Sequence, residues 1–149
     1  MSDLRVGGRS HPWLMTALVA LDPLTLLLSL GYAALARASG ARVAWDRTHG
    51  MVICTGSSPR LHGGGGTTVG CVYVTSASDV RTEICCHESR HRDQWAIAGP
   101  LFAVLYGAEI LRTKTNFTRN VWERWAGLED GGYLPASTAT TGSATTEPA

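Results

Sequence analysis

The sequence predicts an α+β domain. Three observations predict it: an apolar run near the amino end, a glycine-punctuated middle rich in β-formers, and a second half in which apolar residues recur at steps of three and four. The expected elements are an N-terminal apolar helix, a two- or three-stranded antiparallel sheet, a helix carrying a metal-binding pattern and a C-terminal helix. A length of 149 residues allows one modest domain.

Residues 1–12 are polar. Residues 13–38 form the apolar segment, in which Asp22 is the only charge before Arg37. The length suits a bilayer span, but Asp22-Pro23 interrupts it. Asp22 suits an N-cap and Pro23 the first helical position, so 23–38 reads as its own helix. Three readings of 13–38 stand: a membrane-seated helix, a buried core helix and a cleaved signal peptide. Basic residues flank both sides and leave orientation open.

Met51–Cys54 reads as a short strand ended by Gly56-Ser-Ser-Pro59, and Val69–Thr75 as a second strand. The glycine-rich stretch His62–Gly66 joins them as an antiparallel pair. Ser76–Asp79 is a helix-start signature, and a helix is expected from 80 to 98, stopping at Gly99-Pro100. Val80, Ile84, His87, His91 and Trp95 share one face of it. A second apolar helix follows from Pro100 through Leu111, and a last one from Asn116 to Leu128. Residues 134–149 are rich in Ala, Ser, Thr, Pro and Gly without periodicity, the composition of a disordered tail.

A hydrophobic fraction of 44% fits a folded protein, and a formal net charge of +1, without basic clusters, argues against nucleic-acid binding. The four cysteines, Cys54, Cys71, Cys85 and Cys86, form no CxxC pair. Cys85 and Cys86 read as small hydrophobes. Cys54 and Cys71 could face each other across two strands, which leaves a disulfide open, although a reducing compartment is the simpler reading.

The chemistry-bearing run is His87-Glu88-Ser89-Arg90-His91. Residues four apart on a helix stand one above the other, so both imidazoles can meet one ion. Hydrolytic zinc takes three protein ligands and keeps a position for water, whose pKa falls to about 7. Glu88 is placed to take and return that water's proton. For the third ligand the candidates are Glu109, Glu123, Glu129 and Asp130. Glu123 is preferred, because Ala126, three residues on, lets its helix come close to the motif. The competing account of Glu123 is a surface pair with Arg119 or Arg124.

HExxH followed by a glutamate on a later helix resembles the gluzincin-type zincin metallopeptidases. Glu123-x-x-Ala126 is also similar to the small ImmA/IrrE-type peptidases. His87 to Trp95, Gly99-Pro100 and Asn120 to Tyr133 resemble a group of small actinobacterial HExxH proteins from which no activity carries over. The resemblance covers about 60–133. It implies a zincin-like metal-binding domain over 41–133, with Zn2+ held by His87, His91 and Glu123, and Glu88 as catalytic base. It also implies Val69–Thr75 as the edge strand above the metal, where the residues alone give a plain hairpin strand. Arg90 stands where many such motifs carry glycine.

The expected activity is zinc-dependent hydrolysis of a peptide or protein substrate. The alternative is a non-catalytic zinc site in a small membrane-associated or interaction protein, and a third reading has no metal, with both histidines bonded in the core. Iron competes with zinc for such a ligand set. His62, Tyr106 and Tyr133 are candidate oxyanion donors, and Asp93 and Gln94 are either partners of a ligand imidazole or plain exposed residues. Trp95, Trp122 and Trp125 are expected to pack helices together, and Trp13 and Trp45 to sit in the core or flank a membrane segment. The location expected is the cell membrane, through 13–38, or the cytoplasm.

Overall fold

The computed structural model describes residues 11–63 and 65–135. The apolar segment is two helices, α1 (Pro12–Leu21) and α2 (Pro23–Ala38), bent by 102° at Asp22. The Asp22 side chain accepts from the Leu24 N–H at 3.2 Å, and Pro23 opens α2 where its missing N–H costs nothing.

The sheet corrects the expectation of an antiparallel pair. It has four strands, β1 (Arg42–Asp46), β2 (Met51–Thr55), β3 (Gly66–Val69) and β4 (Val72–Thr75), in the order β1-β2-β4-β3. β2 and β4 run parallel, whereas the two outer pairings are antiparallel. The run Val69–Thr75 is therefore not one strand. Gly70, at φ 56°, and Cys71 turn it into a two-residue hairpin, and β3 becomes the edge. The hairpin consumes the expected edge strand's first residues, so the sheet gains a strand that composition did not separate.

Alternation along β4 builds two faces. Val72 and Val74 join Cys54, Ala36 and Ala41 in a core beneath α2. Tyr73 looks the other way, toward α3 (Thr82–Ala98). The α3 helix begins later than expected, with Arg81 as an N-cap that makes no side-chain bond. The helix α4 (Leu101–Thr113) is bent from it by 119° after Gly99. A 3-10 turn at Phe117–Arg119 leads to the short α5 (Val121–Ala126), where the Asn120 side chain accepts from the Trp122 N–H at 2.9 Å. A second core joins Val19 of α1, Trp95 and Phe102, so α1 packs on α3 and α2 on the sheet. Phe102 bridges Trp95 and Trp122, at 5.4 Å between ring centroids in both cases, while Trp125 stays exposed. Trp13 and Trp45 pair at 5.7 Å on the surface.

The inward face of α2 is made of small residues. Thr25, Ser29 and Ala36 are fully buried, while Leu24, Leu27, Leu28, Leu30 and Leu35 face outward. Gly70 explains the choice: a Cβ there would collide with Ser29 Oγ, so hairpin and helix meet closely only with small partners. Leu14, Leu18 and Leu21 of α1 and Leu101, Val104, Leu105 and Leu111 of α4 are also exposed. Among the described residues no single helix is long and apolar enough to cross a membrane. All four cysteines are free, so no Cys54–Cys71 bridge forms. The tail expected to be disordered lies, from 136 onward, outside the described residues, as do 1–10.

Candidate metal centre

His87, Glu88 and His91 sit on the face of α3 turned to the sheet and α5, and all three are buried. Glu123 comes from α5 and is 2% exposed, which excludes a surface pairing with Arg119 or Arg124. His87 Nε2 lies 3.1 Å from Glu123 Oε2, His91 Nε2 lies 3.5 Å from the same oxygen, and the two Nε2 atoms are 3.1 Å apart. A tetrahedral ion with ligand bonds of about 2.0–2.2 Å separates its ligand atoms by about 3.4 Å. The triangle has that size.

The partners of each ring fix which nitrogen faces the centre. His87 Nδ1–H donates to the Gly127 carbonyl at 2.9 Å. His91 Nδ1–H donates to Gln94 Oε1 at 2.7 Å, and Gln94 Nε2 donates to the Trp122 carbonyl at 3.0 Å, which settles the amide's orientation. Both Nε2 atoms therefore turn lone pairs toward a carboxylate, and Glu123 Oε2 is buried with no well-formed hydrogen bond. Three acceptors facing one another in a dry place require a cation, either protons or a metal. Burial alone would raise the Glu123 carboxyl, but the two imidazoles hold it below its ordinary range. Burial alone would lower His91, but Glu123 and Glu88 outweigh it and raise it.

Glu88 accepts from Thr68 Oγ1 at 2.7 Å, and Trp95 Nε1–H donates to the Thr68 carbonyl at 3.1 Å. Edge strand β3 is thus fastened to α3 beside the site. Burial pushes the Glu88 carboxyl up, against the pull of His91, Thr68 and His87. Tyr106 donates its hydroxyl to Glu123 Oε1, so of the expected oxyanion donors it is engaged. Tyr133 packs 5.9 Å from the His87 ring. His62 is buried, and neither ring nitrogen has a partner among the described residues. All three line a cavity of about 850 Å³ that also reaches Glu88, His91 and Glu123.

The other acids lie elsewhere. Glu109 pairs with Arg112 and caps the Val121 N–H, and Arg112 holds its carboxyl down to about 2. Asp130 pairs with Arg90 at 2.8 Å, and Glu129 is exposed. Gln94 is not an exposed residue, since it is 1% exposed and orients His91. Asp93 instead pairs with Arg92. Arg90, where glycine was the usual residue, binds the Ala126 carbonyl at 2.5 Å and clamps the segment after α5. Gly131 lies against the site: a Cβ there would come within 2.7 Å of His87 Cε1. No local sequence signal marks the Gly127 carbonyl or Gly131, because both depend on how α5 docks. Compared with known proteins, the chain matches no protein-family model, no curated protein and no solved structure.

Proposed function

We propose that the protein is a zinc-dependent hydrolase of peptide bonds with a zincin-like site. The observation that carries this reading is the buried convergence of two imidazole lone pairs and an unsatisfied carboxylate oxygen, each held from behind by a specific partner. His87, His91 and Glu123 would hold the ion. When bound, zinc supplies Lewis acidity, bringing a water in its shell to a pKa of about 7 and polarising a scissile carbonyl.

Glu88 takes the proton of the attacking water and passes it to the leaving amine. Its raised carboxyl suits the donor half of that task, and the Thr68 hydroxyl holds it in one rotamer. Gly127 and Gln94 keep both imidazoles in the tautomer that binds. The apolar cavity on the open side leaves room for substrate, which favours turnover over a closed structural site.

Elemental analysis is expected to give about one equivalent less metal in His87→Ala and in Glu123→Ala than in purified wild type. Glu88→Gln is expected to keep the metal and lose about 10²–10⁴-fold in cleavage of a mixed peptide library. Undiminished cleavage by that variant would overturn the mechanism. Full metal content in both ligand variants would overturn the site.

The outward leucines of α1, α2 and α4 support seating at a lipid surface. Sedimentation with phospholipid vesicles is expected to carry wild type down and to leave more Leu27→Asp in solution. Equal partition of the two would remove this part of the reading.

A further inference from the structure

The opposite side of α3 carries a second convergence of ligand-type side chains. There the turn between β1 and β2 folds against the helix. One carboxylate oxygen of Asp46, one ring nitrogen of His49 and Cys85 Sγ lie within 4.8 Å of one another. Cys86 Sγ is 3.5 Å from His49 Nε2. A tetrahedral ion with a sulfur bond of about 2.3 Å and a nitrogen bond of about 2.0 Å sets these atoms about 3.5 Å apart.

The turn that presents them is already fixed. Asp46 Oδ1 accepts from the Thr48 N–H at 2.8 Å and the His49 N–H at 3.3 Å. Asp46 Oδ2 lies 2.6 Å from His49 Nδ1, which orients the ring and directs Nε2 at sulfur. The buried Arg92 guanidinium donates to the His49 carbonyl, and Thr16 Oγ1 donates to the Gly50 carbonyl at 2.6 Å. Asp46, His49 and Cys85 line an open cavity of about 470 Å³, so an ion has a route in.

A Cys86–His49–Asp46 nucleophilic triad is the competing use of the same atoms. It fails on geometry, because Cys86 lies inside α3, where backbone N–H groups are engaged along the helix. A mixed set of thiol and imidazole instead suits a soft or borderline divalent ion.

We propose that His49 and Cys85, with Cys86 beside them and Asp46 holding the imidazole from behind, form a second cation site for a thiophilic divalent metal such as zinc. It is separate from His87, His91 and Glu123 and does not rest on the hydrolase reading. The test is titration of the metal-free full chain with Cd2+, followed by the ultraviolet thiolate-to-cadmium absorption. Wild type is expected to develop that band with saturation near one equivalent. Cys85→Ser and His49→Ala should weaken it at least ten-fold, while His87→Ala/Glu123→Ala should keep it. No band in wild type, or an undiminished band in both Cys85→Ser and His49→Ala, would overturn the proposal. Should those variants fail to fold, alkylation mapping on wild type decides: Cd2+ must shield Cys85, and shielding confined to Cys54 and Cys71 refutes the site.

Discussion

Two regions of this molecule distribute polarity in opposite senses. Around α3 and α5 the interior holds His87, Glu88, His91, Arg92, Gln94, Asn120 and Glu123, all buried. Around α1, α2 and α4 the exterior holds leucine and valine, and the inward positions of α2 are Thr25, Ser29 and Ala36. A water-facing helix ordinarily does the reverse. In the first region the buried polar side chains pair with one another or with backbone, apart from Asn120 Nδ2 and the Glu123 Oε2 that faces both imidazoles. The second shows that close packing here is achieved by small size rather than by apolar area.

Three substitutions probe that contrast. The largest effect is expected at Phe102, the inward apolar residue of α4, which fills the space between Trp95 and Trp122. Phe102→Ala should lower stability by about 3–5 kcal/mol in denaturant unfolding, since it removes a buried ring and leaves a cavity. Next is Ser29→Leu, which adds apolar bulk where Gly70 approaches. A loss of about 1–3 kcal/mol by the same measurement is expected from overpacking. A stabilised Ser29→Leu protein would show that the contact is looser than the geometry implies. The smallest is Leu27→Ala, at an outward position. Its stability should stay within about 0.5 kcal/mol of wild type in detergent-free buffer. A loss comparable with that of Phe102→Ala would mean that the outward face is covered in solution.

The two regions also differed in how far sequence revealed them. The start of α2 was readable because Asp22-Pro23 is a local signal. The convergence of Glu123 on His87 and His91 followed from helical spacing and a three-ligand rule. The sheet was not readable in the same way. A parallel β2–β4 pairing depends on the path of the intervening chain, and the Gly70–Cys71 turn sits inside a run of good β-formers. For Gln94 the sequence leaves two readings open, a partner of a ligand imidazole or an exposed residue, and only the docking of α5, which supplies the Trp122 carbonyl, decides for the first. The Asp46–His49–Cys85 cluster was invisible because Cys85 is far in sequence from Asp46 and His49 and meets them only once the β1–β2 turn folds onto α3.

The small inner face of α2 carries a consequence for variation. In most helices of folded proteins the leucines are the constrained positions and the serines are free to drift. Here a saturation scan of α2 should be inverted. Leu24, Leu27, Leu28 and Leu30 would accept one another's apolar relatives freely, and Thr25, Ser29 and Ala36 would accept almost nothing larger than themselves.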